Sequence, residues 1–303
     1  MSPRTSAPFG RVLTAMVTPF TDSGAVDLDA AAALATHLID HGHDGLVVSG
    51  TTGESPTTDP AEQHALLEAV LDAVGDRASV VAGAGTNDTA HSLKLAEAAT
   101  AAGAHGLLVV TPYYSKPTQD GILAHFRAIA DVSASPVMVY DIPGRTGVKL
   151  GADTLARAAE HPRIAAVKEA SADLYAGSWL LRSTDLVIYS GDDALNLAWL
   201  AVGAVGVVSV IGHVVGDRLA DMIAALDAGD LESARKIDQS LLPVTEAIMT
   251  RAPGAVMAKA ALELLGLLPN RVVRAPHLPA TDEQVAQLRL DLVTAHLLED
   301  TRA

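Results

Sequence analysis

Short apolar runs recur along the chain, each followed by a longer stretch in which apolar residues return every three or four positions. The runs fall at 13–18, 45–49, 79–84, 106–111, 136–141, 164–169, 186–190 and 206–211. Their hydrophobicity is continuous rather than alternating, so both faces of each strand are covered, as in a parallel sheet wrapped by helices. Between the runs lie Ala-rich amphipathic segments such as 28–41, 61–74, 89–102 and 121–132, which predict helices. Eight such units in succession favour a closed (β/α)8 TIM barrel with a C-terminal helical extension. The alternative is an open doubly wound sheet, which usually has fewer units. After about residue 230 the strand signal stops, and 231–250, 253–265 and 282–298 read as three helices. The expected organisation is a catalytic barrel over 1–230, with 1–10 as a loose N-terminal tail, and a three-helix appendage over 231–303 with no long linker before it.

Composition narrows the function more than the fold. Hydrophobic residues make up 49% of the 303, but aromatics only 3%, so the core must be built from Ala, Val, Leu and Ile. The absence of cysteine excludes disulfides, thiolate catalysis and thiolate metal sites, and fits a reducing, cytoplasmic setting. A formal net charge of −15 argues against nucleic acid or an anionic membrane as partner. It leaves small anionic substrates open, because one local arginine outweighs a global field. The start, Met1 to Pro8, is polar with two prolines and lacks the apolar region of a secretory signal. Residues 197–216 carry no formal charge and imitate a membrane span, but Gly203, Gly206 and Gly212 punctuate them. They read instead as a buried helix, a turn and a buried strand.

In a barrel of this kind the active site lies at the C-terminal ends of the strands. The second end carries Gly50-Thr51-Thr52-Gly53-Glu54-Ser55, and the fourth Thr111-Pro112-Tyr113-Tyr114. The fifth carries Tyr140-Asp141-Ile142-Pro143-Gly144-Arg145-Thr146-Gly147, the sixth Lys168, and the seventh Ser190-Gly191-Asp192-Asp193. Lys168 is the one lysine of six embedded in a strand-like run. Burial disfavours its ammonium form and frees the amine as a nucleophile toward carbonyl carbon, unless the side chain reaches solvent from the strand end. The Gly-flanked threonines can present backbone N–H groups to a carboxylate, or be only a tight turn. Arg145 offers a planar fork to a second carboxylate, or sits on the surface of a Pro-Gly loop. Tyr140 and Thr51 are uncharged hydroxyls able to pass protons beside an imine, although Tyr140 also suits a core position. Glu169 faces the opposite side of its strand from Lys168.

Other features point elsewhere and carry less. Gly83-Ala84-Gly85-Thr86-Asn87-Asp88 begins like a dinucleotide loop, but Asp88 stands where the third glycine belongs. His37, His41 and His43 lack a supporting carboxylate motif for a metal. Asp192-Asp193 fits a helix cap better than a metal site.

Taken in order, these motifs resemble the dihydrodipicolinate synthase family, among the pyruvate-dependent class I aldolases that also include N-acetylneuraminate lyase. The resemblance runs from about Leu13 to the C-terminal helices and is nearest the actinobacterial branch. It implies a Schiff base between Lys168 and the keto carbon of pyruvate, with Thr51 and Thr52 on the pyruvate carboxylate. Tyr140 is then the general acid/base, and Thr51 and Tyr114 extend a proton relay, Tyr114 reaching in from a neighbouring subunit. Arg145 would bind the carboxylate of L-aspartate 4-semialdehyde, and Gly191 and Val208 would line the pyruvate pocket through their backbones. The resemblance implies no metal or organic cofactor, and a homotetramer built from two tight dimers. Arginine at 145 favours the synthase over the sugar-acid lyases and aldolases of the family. A non-catalytic, binding member is the remaining alternative. Asp141 and Gly144 replace the Asn and Ser of many members. Ser55, Asn87 and Tyr113 match a lysine-effector site, whereas two histidines and a glutamate of lysine-sensitive enzymes fall at Pro60, Gln63 and His91. Weak or absent feedback by lysine is therefore expected.

Overall fold

The computed structural model of the chain describes residues 7–299. Eight parallel strands close into a barrel in which each strand pairs with its sequence neighbours and β8 pairs back to β1. The first half runs β1 (Val12–Ala15), α1 (Leu28–Asp40), β2 (Gly45–Val48), α2 (Pro60–Val74), β3 (Ser79–Gly83), α3 (Thr89–Ala101), β4 (Gly106–Val110) and α4 (Gln119–Val132). The second half begins with β5 (Val137–Asp141), the short α5 (Pro143–Thr146), α6 (Ala152–Ala158), β6 (Ile164–Glu169) and α7 (Leu174–Ser183). It continues with β7 (Val187–Ser190), α8 (Asn196–Val202), β8 (Gly206–Ser209) and α9 (Gly212–Asp227). Three further helices follow: α10 (Leu231–Met249), α11 (Gly254–Leu264) and α12 (Asp282–Thr294). No helix among the described residues is long and apolar enough to cross a membrane.

The strands are buried on both faces, which is why their sequences read as unbroken apolar runs. Alternation sends Leu13, Val47, Val81, Leu108, Met138, Ala166, Val187 and Val208 into the barrel lumen, where they pack as one cluster with Tyr140 and Tyr189. The opposite set packs against the helices in a second, larger cluster. Helix starts are fixed by side-chain caps. Asp59 caps α2 and pairs with Glu62 in a capping box, Asp88 caps α3, and Thr118 caps α4.

One expectation needs correction. Residues 8–10 are not a loose tail. Phe9 is fully buried at the floor of the barrel, beside the ring of Tyr189 at 6.1 Å. Its N–H donates to the Tyr189 hydroxyl at 3.2 Å, and that hydroxyl donates to the Gly10 carbonyl at 3.0 Å. A wide barrel built from small aliphatic residues leaves its lower end unfilled, and this aromatic closes it. Residues 1–6 lie outside the described residues.

Candidate active site

Strand alternation decides which side chains meet at the top of the barrel. On β5, Met138 and Tyr140 point inward. On β6, Ala166 does, and so does Lys168 two residues on. Tyr140 and Lys168 are register partners across the β5–β6 pair. The Lys168 amine therefore sits over the Tyr140 ring, 4.5 Å from its centroid, with only 4% of the residue exposed. Gly191, just beyond β7, is pressed against the same lysine. A Cβ there would lie 2.8 Å from Lys168 Cγ and 3.0 Å from Cε, so no side chain fits.

Burial lowers the Lys168 pKa to about 8. Asp193 opposes that fall, and the Arg145 guanidinium adds to it. Asp193 is itself buried and held by four donors: Asn196 Nδ2 at 3.0 Å, Ser209 Oγ at 2.6 Å, and the N–H groups of Val210 and Ile211 at 2.8 and 3.0 Å. Its carboxylate is thus held in one place, from which its charge acts on the amine. By sequence, Asp192 and Asp193 both fit a helix cap. Only Asp192 has that role, toward the Ala194 N–H at 3.1 Å. Burial also raises the pKa of the Tyr140 phenol, so the group is neutral and able to donate.

A cavity of about 730 Å³ opens at Tyr140; Gly191 and the buried Lys168 are not among the residues that line it. Its walls include Thr51, Tyr113, Tyr114, Lys116, Tyr140 and Arg145. Arg145 reaches it because the Pro143–Thr146 turn is pinned at both ends. Thr146 Oγ1 contacts the Ile142 and Val148 carbonyls at 3.1 and 2.9 Å, and Gly147 takes φ +75° to return its N–H to Pro143. No anionic partner holds the Arg145 side chain among the described residues, which leaves its fork facing the cavity. Lys116, which no motif in the sequence marks, adds a second cation on the same wall; its Cε lies 2.8 Å from where a Gly147 Cβ would be.

Thr52 shares the turn of Thr51 and is half-buried, without lining that cavity. Val208 is buried in the lumen cluster, and its side chain does not reach the cavity either. Tyr114 is 88% exposed, with φ +71°, a strained backbone for a tyrosine. Ser55, Asn87 and Tyr113 line a second, adjoining cavity of about 270 Å³ with Gln63, Asp88 and His91. The Gln63 amide there is spent on the Ser55 and Thr58 carbonyls, and Asp88 is engaged in capping α3.

On the outer face of the same strands Asp141 and Glu169 are also register partners, both buried. Burial pushes Asp141 up to about 7, and it raises Glu169 as well. Glu169 is turned away from Lys168, as strand alternation requires, and bonds the Ser171 N–H and hydroxyl. His37 and His41 stack on the surface at 4.0 Å. His43 is buried against Thr14 at 2.7 Å, so the three do not converge.

A buried amine with a lowered pKa, a neutral phenol beside it and a cation-lined cavity that reaches that phenol form the equipment of a lyase that works through a lysine imine on a parallel barrel. The comparisons with known proteins agree. The model of the Dihydrodipicolinate synthetase family matches residues 8–295, and the chain belongs to that family. It is 63% identical over 290 residues to the 4-hydroxy-tetrahydrodipicolinate synthase of Kineococcus radiotolerans, covering 96% of this chain and 94% of that one. It is 58% identical over 285 residues to the 4-hydroxy-tetrahydrodipicolinate synthase 2 of Streptomyces coelicolor, covering 94% and 95%. Among solved structures, the enzyme of Cyanidioschyzon merolae with lysine bound superposes with a TM-score of 0.93 at 42% identity, over 97% of this chain and 100% of that one.

Proposed function

We propose that the chain condenses pyruvate with L-aspartate 4-semialdehyde to give 4-hydroxy-tetrahydrodipicolinate, the first committed step toward diaminopimelate and lysine. The observation that carries this reading is the Lys168 amine, buried on the inner face of β6 over Tyr140 and against Gly191. Family membership and the 53–63% identity to named synthases support the activity. Neutral Lys168 adds to the keto carbon of pyruvate, and loss of water leaves a protonated imine. That imine is an electron sink, so a methyl proton departs and an enamine forms. Tyr140, with Thr51 and Tyr114, serves as the acid/base relay for these transfers. The enamine carbon attacks the aldehyde, and the aldehyde oxygen takes a proton. The substrate's amino group then attacks the imine carbon, closing the ring and releasing Lys168. Thr51 and Thr52 hold the pyruvate carboxylate, Gly191 and Val208 shape its pocket, and Arg145 holds the semialdehyde carboxylate.

No step in this scheme calls for a metal or organic cofactor. The exposure and strain of Tyr114 favour its use across a subunit boundary, within a homotetramer of paired dimers acting in the cytoplasm. Residues 231–303 act as an appendage on the barrel of residues 1–230. The test is pyruvate consumption with L-aspartate 4-semialdehyde beside a parallel reaction with N-acetylmannosamine. Loss only with the semialdehyde is expected. Turnover only with the sugar would move the chain to the lyase branch, and turnover with neither would leave another aldehyde or a non-catalytic role.

Ser55, Asn87 and Tyr113 form a vestigial effector site. Its wall lacks a free carboxylate to meet a lysine ammonium, because Asp88 is already a cap. L-Lysine below millimolar concentration is therefore expected to leave the rate unchanged. Half-inhibition in that range would refute this.

A further inference from the structure

A second buried lysine lies outside the reacting pair. Lys259, on α11, is 1% exposed. Its amine meets Glu54 Oε1 at 2.6 Å and the Val272 carbonyl at 2.8 Å, and lies 4.0 Å from the centroid of the Phe20 ring. Glu54 is the fifth residue of the Gly50–Ser55 turn, and its side chain is wholly buried. Its other oxygen accepts the Arg274 N–H at 2.9 Å. The Arg274 side chain spans Phe20 from a centroid distance of 4.5 Å and forks onto Glu62 at 2.6 and 2.7 Å. Glu54 has φ +57°, a left-handed backbone that a residue with a side chain rarely adopts, and Ser49 at the other end of the turn has φ +53°. Between these ends the chain is tied by Glu54 N–H to Thr51 O at 3.1 Å and by the Thr18 hydroxyl to Gly53 O at 2.6 Å. The Glu54 side chain is therefore fixed by α11 and by residues 272–274, while its backbone bonds directly to Thr51.

A buried ion pair of this kind is weak evidence for stability, since well-packed apolar groups serve as well or better. What it supplies is one geometry. We infer that the Glu54–Lys259 pair is a positioning device, through which the C-terminal helices hold the Thr51-Thr52 turn in the shape that receives the pyruvate carboxylate. This deepens the proposed function and rests on it. Arg274 and Glu62 neutralise each other alongside, so the pair adds no net charge that would itself attract an anion.

The experiment is borohydride trapping of the pyruvate imine against pyruvate concentration, on wild type and on Glu54→Gln/Lys259→Met. This double variant leaves no unpaired buried charge, unlike either single change. The half-saturating pyruvate concentration is expected to rise about tenfold, with the trapped fraction at saturation unchanged. The melting temperature is expected to stay at or above that of wild type. A folded double variant with wild-type half-saturation would overturn the inference. Absence of trapping in wild type would instead refute the imine reading itself, and the inference with it. A measurement on unmodified protein guards against a double variant that fails to fold. Coupling is reciprocal, so saturating pyruvate should slow amide exchange across 270–276 by about threefold. Unchanged exchange there would also overturn the inference.

Discussion

Lys168→Ala abolishes the pyruvate adduct that borohydride traps and lowers kcat/KM by at least about four orders of magnitude. No other amine replaces it. Lys259 is paired with Glu54, and Lys116 lies exposed on the cavity wall. The fold should survive, because a truncated Lys168 leaves Asp193 still bonded to four donors. The pH dependence follows from the same geometry. The attacking form is the neutral amine, and burial brings its pKa down to about 8. The rate of imine formation should thus rise about tenfold per pH unit below 8 and level off above it. The sign for stability agrees: the folded pKa lies below that of the unfolded lysine, so the unfolded chain binds the extra proton. Stability from this group then increases as pH rises from about 8 toward 10.5. Asp193→Asn removes the one charge that raises the amine's pKa, and should shift the rate profile to lower pH.

How far the sequence carries toward this site depends on distance along the chain. All eight strands were legible because a strand buried on both faces leaves an unbroken apolar run. Three of their C-terminal limits coincide with the sequence expectation, four fall one or two residues short of it, and that of β1 falls three short. Ser49, Thr111 and Ile211 stay buried just past the ends of their strands, in the loops that carry the site, so burial alone does not mark where a strand stops. The inward aim of Lys168 and the outward aim of Glu169 followed from the two-residue strand period. Contacts across the fold were not legible. Phe9 plugs the floor through a tyrosine 180 positions away, and Lys259 meets a glutamate 205 positions away. Lys259 stands between Ala258 and Ala260 in an apolar helix, and that setting was the available signal for its burial. Asp193 was hidden by its neighbour, since two adjacent aspartates before a helix satisfy the capping pattern when only Asp192 caps.

Arg145→Ala separates the two halves of the reaction. Its guanidinium lines the cavity above Tyr140 on a turn fixed by Thr146 and Gly147, with no carboxylate of the described protein holding it. A planar fork in that setting suits a substrate carboxylate, and loss of a charge-assisted bidentate contact should lower kcat/KM for L-aspartate 4-semialdehyde by roughly a hundred- to a thousandfold. Borohydride trapping of pyruvate should persist, because the amine, the phenol and the Thr51-Thr52 turn stay in place. The small fall that Arg145 imposes on the Lys168 pKa would be lost as well, so imine formation should need a slightly higher pH. Arg145→Lys restores the charge but not the fork, and should recover only part of the semialdehyde rate. Loss of the trapped pyruvate adduct in Arg145→Ala would mean that the arginine serves the first substrate. The semialdehyde would then need another cation, and Lys116 on the same wall is the one the structure offers.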